Sequence, residues 1–209
     1  MAVSYFIKMT ILWLKVALAY LAFFLTGGIP FGPIVARMKG VDLRKIGSGN
    51  IGSTNVYRAL GMKFAALVFA LDLLKGALCA LAGLWLFHAG TEAALSGMAA
   101  VLGHIFSPFL KFKGGKGVAT ALGVMLVFAP IPSLISFAVW VMIAFWKRVV
   151  SAASIIAALL LPALVYLFYK TGWEFYISLA VVGVVILSHW ENMVRLVRGD
   201  EKPVRRISG

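Results

Sequence analysis

The sequence predicts an all-α integral membrane protein, one polytopic domain over 1–209. It is expected to have seven transmembrane helices, with the N-terminus outside, the C-terminus cytoplasmic and some helices short or broken. Three observations predict this. Hydrophobic residues make up 62% of the 209, where a soluble domain holds about 45–50%. They gather into runs long enough to cross a bilayer as helices. The formal charge of +13 sits at the ends of those runs, where the positive-inside bias of membrane proteins puts it. In a soluble chain such a charge suggests nucleic acid. Here no nucleic-acid partner is expected, and the partner is a lipid bilayer with anionic head groups. Cys79 is a lone cysteine inside an apolar run, so no disulfide is expected. Neither metal nor cofactor is expected.

The first span is 11–36. Residues 1–10 precede it as an N-terminal extension, and the run continues past the length of a cleavable signal peptide. Gly27-Gly28-Ile29-Pro30-Phe31-Gly32-Pro33 makes its second half irregular, which is tolerated where protein or a cavity surrounds it. The polar segment 37–63 follows. Its core, Gly47 through Arg58, satisfies G-x-G-x-x-G at Gly47, Gly49 and Gly52. It lacks the βαβ context of a dinucleotide fingerprint. What remains is a loop of small hydroxyl and amide groups, Ser48, Asn50, Ser53, Thr54 and Asn55, ending on Arg58. Such groups can donate to phosphate oxygens. A solvated Asn/Gly turn is the alternative.

The second span, 64–87, contains Asp72 and Lys75, which are three apart and share a helical face. They read as a structural ion pair in preference to a catalytic one, because charge at that depth is costly unless paired. The connection with His88 and Glu92 carries no Lys or Arg and reads as external. The third span is 93–109. It leads into Gly103 to Thr120, GHIFSPFLKFKGGKGVAT, where Lys111, Lys113 and Lys116 meet Gly114, Gly115 and Gly117. Successive amides in such a turn can form an anion nest, and a helix starting at Val118 would aim its N-terminus at the same spot. A basic inner loop with turn glycines is the plainer reading. The stretch is not a nucleotide P-loop: Leu110 and Gly117 stand where that pattern needs Gly and Ser/Thr.

The run 118–146 holds Pro130 and Pro132 near its middle. It reads as two short spans, 118–129 and 133–146, because two spans return Lys147 and Arg148 to the side of Lys116. The sixth span, 149–169, has Ser151 and Ser154 on its inner first turn. The seventh is 175–190, followed by a basic tail. The segments 37–63, 110–117 and 189–209 then lie on the cytoplasmic side. That topology puts 16 of the 20 Lys and Arg inside; Lys8, Lys15 and Lys170 stay outside and Lys75 is buried. His189, Asn192 and Arg195, three apart at the inner end of the last span, share one face suited to a phosphate or polyol.

Three segments, Ser48 to Arg58, Gly103 to Thr120 and His189 to Arg195, together resemble the inner-face motifs of the bacterial acyl-phosphate:glycerol-3-phosphate acyltransferases (PlsY). The resemblance covers nearly the whole chain after about Ala19. It implies transfer of a fatty acyl group from acyl phosphate to the sn-1 hydroxyl of glycerol 3-phosphate, giving lysophosphatidate and phosphate, at the bacterial inner membrane with the site facing the cytoplasm. By position, Arg58, Lys116, Ser154, His189 and Asn192 correspond to glycerol 3-phosphate ligands. Of these, Arg58, Lys116, His189 and Asn192 are expected to be catalytic. Ser48, Gly49, Thr54, Asn55, His104, Gly114 and Gly115 correspond to the wall around the acyl-phosphate head group, and Arg195 joins the substrate contacts. Ser53, Gly28 and Ser107 depart from the residues common in the family. No His is followed five residues later by Asp or Glu, so the His-x4-Asp arrangement of acyl-CoA-type acyltransferases is absent. An acyl phosphate has a good leaving group, so positioning and charge stabilisation can carry much of the rate, with direct transfer and no acyl-enzyme. The alternative is a transporter or exchanger of organic phosphates. Such sites lie near the bilayer midplane, often between inverted repeats, whereas these motifs crowd the inner ends of spans.

Overall fold

The computed structural model describes residues 2–88, 90–201 and 203–205. Lys202 and Arg206, counted above among the inner cations, lie outside them. Among the described residues there are ten α-helices and no strand. They are α1 (Ala2–Gly28), α2 (Phe31–Arg37), α3 (Ser53–Leu60), α4 (Met62–Phe87), α5 (Gly90–Ile105), α6 (Val118–Phe128), α7 (Pro130–Lys147), α8 (Val150–Tyr169), α9 (Trp173–Ser188) and α10 (Trp190–Arg198).

Among the described residues five spans are long and apolar enough to cross a membrane: Tyr5–Arg37, Met62–Phe87, Gly90–Leu110, Pro130–Lys147 and Val150–Tyr169. The pair α9 and α10, bent by 60°, makes a sixth if taken together. The eleven-residue α6 is apolar but shorter. The protein is therefore a multi-pass, all-helical membrane protein. Residues 2–10 continue α1 without a break, because nothing in AVSYFIKMT stops a helix. The expected irregularity falls at Ile29-Pro30, where Pro30 has no N–H to extend the ladder.

The turn between α6 and α7 is at Ala129, so α7 starts at Pro130 rather than at 133. Proline is well placed in a first helical turn, where its missing N–H would have no partner in any case. Val118 and Trp140 face the same cavity. A single continuous helix would hold these residues about 33 Å apart, so the chain folds back on itself. Trp140 Nε1 donates to Ser154 Oγ at 3.0 Å, tying α7 to α8.

The main core joins α4, α5, α6, α8 and α9 through Ala80, Val101, Val124, Met125, Val165 and Val181. The crossing of α4 and α6 is a backbone contact: a Cβ on Gly76 would overlap the Thr120 carbonyl, and one on Gly123 the Leu73 carbonyl. Small residues at such crossings let membrane helices approach closely. A second cluster, Val35, Ala36, Leu43, Val56 and Val68, seats α3 on α2 and α4. These two contacts fix the start of α6 and the whole of α3 relative to α4.

Candidate active site

A cavity of about 900 Å³ opens among the 47–58 segment, the start of α6, the first turns of α8 and the α9–α10 break. It gathers Ser48, Thr54, Asn55, Arg58, His104, Lys116, Ser154, His189, Asn192 and Arg195. Three segments far apart in sequence thus meet in one place, as the motif reading expects.

Within the 47–58 segment three of the loop amides are already used. Ser48 N–H donates to Asn55 Oδ1 at 3.2 Å and Gly52 N–H to Asn50 Oδ1 at 3.0 Å, and Gly49 N–H donates to Ile46 O at 3.0 Å. Asn55 is a correction: it borders the cavity, but its Nδ2 donates to Leu43 O and Ile46 O, both at 3.0 Å. With both ends of its amide committed and 1% exposure, it builds the loop rather than a ligand contact. Gly49 is also corrected. It takes φ +67 to turn the chain and is not among the cavity-wall residues. Arg58 and Ser48 are what this segment delivers, 3.4 Å apart between Nη1 and Oγ.

The 110–117 loop carries a parallel correction. Gly114 N–H donates to Ile105 O at 2.9 Å and Gly115 N–H to His104 O at 3.1 Å. The expected nest is therefore a cap on the C-terminal end of α5, where carbonyls lack helical partners. Gly114 and Gly115 do not border the cavity. They are glycine because a Cβ on Gly114 would overlap the His104 and Ile105 carbonyls and one on Gly115 the His104 ring. The cavity instead meets Lys116 and the N-terminal turn of α6, Gly117 to Ala119. Arg44 donates to the Lys113 carbonyl and joins the two loops.

Lys116 Nζ donates to Asn192 Oδ1. Burial pushes the Lys116 ammonium down to about 8, with Arg195 and Arg58 adding repulsion. His189 Nδ1 lies 2.8 Å from Val185 O. A carbonyl only accepts, so Nδ1 carries the hydrogen and Nε2 is the free ring nitrogen. Ser154 Oγ donates to Val150 O at 2.9 Å.

Sequence reasoning missed Glu201. Its Oε1 accepts from Asn192 Nδ2 at 2.6 Å and from Ser151 Oγ at 2.7 Å, and its Oε2 accepts from Arg195 Nε at 2.7 Å. These hydrogen bonds hold its carboxyl below the usual range. As one of three acids in a basic tail, beside Glu191 and Asp200, it gave no signal of this. Asp72, which the sequence places in a structural ion pair in preference to a catalytic one, also borders the cavity. A smaller apolar cavity adjoins the first, sharing Phe69, Val118, Trp140 and Ser154 with it.

A family model described as glycerol-3-phosphate acyltransferase matches residues 17–199. The glycerol-3-phosphate acyltransferase of Aquifex aeolicus is 46% identical over 182 residues, covering 85% of this chain and 93% of the relative. That of Deinococcus radiodurans is 42% identical over 189 residues, covering 90% and 96%. The crystal structure of PlsY (YgiH), an integral membrane glycerol 3-phosphate acyltransferase, in its glycerol 3-phosphate form superposes with a TM-score of 0.84. It is 42% identical and the match covers 90% of this chain and 95% of that one. Its lysophosphatidic acid form gives 0.83 at 41% identity with the same coverage. Motifs, fold and relatives agree, and the chain belongs to the glycerol-3-phosphate acyltransferase family.

Proposed function

We propose that the protein transfers a fatty acyl group from acyl phosphate to the sn-1 hydroxyl of glycerol 3-phosphate, giving lysophosphatidate and phosphate. The observation that carries this is the meeting of Arg58, Lys116 and Arg195 with the α6 N-terminus around one cavity that continues into an apolar groove. Such a site suits two phosphate groups and one hydrocarbon tail. The similar PlsY structures are in glycerol 3-phosphate and lysophosphatidic acid forms, which differ by one acyl chain.

In this reading Arg58, Lys116, His189 and Asn192 hold glycerol 3-phosphate, with Ser154 and Arg195 beside them. Ser48, Thr54 and His104 border the acyl-phosphate head group. The hydroxyl oxygen attacks the acyl carbon, the bond from that carbon to the phosphate oxygen breaks, and the phosphate leaves with the electron pair. The hydroxyl proton passes to a phosphate oxygen, so no strong protein base is required. Direct transfer is supported by the cavity serines: among the described residues none of Ser48, Ser53, Ser151 and Ser154 has an imidazole as hydrogen-bond partner. A nucleophilic serine needs an adjacent base, most often an imidazole. The lysine and arginine distribution supports a single domain of seven spans, N-terminus outside, in the bacterial inner membrane with the cavity facing the cytoplasm.

The test is purified protein in detergent with acyl phosphate and glycerol 3-phosphate, scored by phosphate release and lysophosphatidate. Stoichiometric formation of both is expected; no turnover overturns the reading. Single cysteines at positions 58, 116, 147 and 195 are expected to react only from the cytoplasmic side, and external labelling at 147 overturns the topology.

A further inference from the structure

We propose that Asp72 is a positioning residue for the acyl-donor half of the site: its carboxylate holds the His104 ring with Nδ1 towards Asp72 and Nε2 against Gly115. The proposal rests on the acyl-transfer reading above, in which His104 borders the donor.

Asp72 and Lys75 lie in the middle of α4, 3% and 4% exposed. Charges at membrane depth are expensive and usually face a polar interior or a functional site. Lys75 Nζ is 2.8 Å from Asp72 Oδ1, but that oxygen makes no aligned hydrogen bond. Lys75 also reaches the α1–α2 break, donating to Ile29 O at 2.8 Å. The same Asp72 Oδ1 has a second neighbour: it lies 3.6 Å from His104 Nδ1, and Asp72 and His104 both border the cavity. A pair kept only for neutrality needs no third member and no cavity wall.

A carboxylate only accepts, so the ring nitrogen facing it carries hydrogen. At 3.6 Å the contact orients the ring electrostatically rather than as a formed hydrogen bond. The opposite nitrogen, Nε2, packs on Gly115, where a Cβ would overlap it. The same residue's carbonyl accepts the Gly115 N–H. His104 is therefore gripped by Asp72 on one side and by the loop that presents Lys116 on the other. Rotation of the ring would disturb both the donor wall and that loop.

The test is a double-mutant cycle in detergent, with kcat and both KM values measured alongside thermal midpoints. Asp72→Asn with Lys75→Met removes both charges together and leaves neither unpaired. Its kcat/KM for acyl phosphate is expected to fall about tenfold, the scale of one lost charge-assisted contact, while KM for glycerol 3-phosphate holds. Adding His104→Ala is expected to produce no loss beyond that of His104→Ala alone. Wild-type kcat/KM in the double variant, or losses that multiply independently, overturn the proposal. Should the double variant fail to fold, Asp72→Glu keeps the charge beside Lys75 but shifts it by one methylene relative to His104. A severalfold drop at an unchanged midpoint is then expected, and full activity overturns the proposal. Wild-type protein that releases no phosphate defeats the acyl-transfer reading and this assignment together. Active wild type with an unaffected variant defeats only the role of Asp72.

Discussion

Two glycine-rich basic loops border the cavity, and in sequence they promise the same thing: backbone amides cradling an anion. In the 47–58 segment the amides of Ser48, Gly49 and Gly52 go to Asn side chains and a neighbouring carbonyl. In the 110–117 loop those of Gly114 and Gly115 cap α5. Each loop spends these amides on its own shape and delivers one long cation, Arg58 or Lys116. They differ in rigidity. The first turns through positive φ at Gly47 and Gly49 with a single close neighbour at Gly49, whereas Gly114 in the second is pressed against backbone that cannot yield. A glycine therefore reports close approach or turn geometry more reliably than it reports a ligand.

The largest expected effect separates the loops. Gly114→Ala forces its Cβ into the α5 carbonyls, and a displacement of Lys116 on the order of 1 Å costs about 100-fold in kcat/KM. Gly49→Ala meets only the Arg44 carbonyl, at 3.3 Å. It is expected to cost about 1–2 kcal/mol of stability for the left-handed backbone, read as a lower thermal midpoint with most activity kept. Equal losses from the two would break the comparison. Next come the cations. Arg58→Ala and Lys116→Ala each remove a charge-assisted partner, typically about 1.5–3 kcal/mol, so glycerol 3-phosphate kcat/KM is expected to fall at least about tenfold in each. Near-normal kinetics in both would remove the loops from the site.

A smaller effect distinguishes the cations by pH. Lys116 loses its charge as pH rises through about 8, while an arginine stays charged. KM for glycerol 3-phosphate is expected to rise above that pH, by up to about tenfold per unit for one lost proton. Lys116→Arg should flatten the profile; an unchanged slope would assign the titration elsewhere. The smallest effect is at the tail. Glu201 occupies the Asn192 and Arg195 donors expected to hold phosphate, so Glu201→Gln should lower KM for glycerol 3-phosphate, by roughly two- to fivefold for a partly exposed contact worth about 0.5–1 kcal/mol. An increase in KM would mean that Glu201 supports the site instead of competing for it.

The membrane class, the apolar runs and the three polar segments were legible because composition and local spacing encode them. So was the Asp72–Lys75 pair, since i and i+3 meet on any helix. Its extension to His104 was not, because that contact depends on how α4 packs on α5. The fates of Asn55, Gly114 and Gly115 were hidden for a related reason: one residue type serves equally to bind a ligand or to close a loop, and only the partner decides. The start of α7 was misplaced because two prolines near mid-run looked like a linker, whereas both fit a first helical turn. Glu201 lies beyond the matched residues 17–199 and could be found only in three dimensions.

The shared wall of Phe69, Val118, Trp140 and Ser154 between the polar and apolar cavities has a kinetic meaning. The helix that begins at Val118 is eleven residues long, about 16 Å at 1.5 Å per residue, roughly half of a hydrocarbon core. Its polar end, at the larger cavity, then lies where lipid tails and water are both within reach. The two substrates then arrive by different dimensionality, one from bulk water and one from within the bilayer plane. The donor's governing concentration is its surface density, not its molarity. Adding inert detergent or lipid at constant total acyl phosphate is expected to slow turnover in proportion to the dilution of the donor, while leaving the saturation curve for glycerol 3-phosphate where it was.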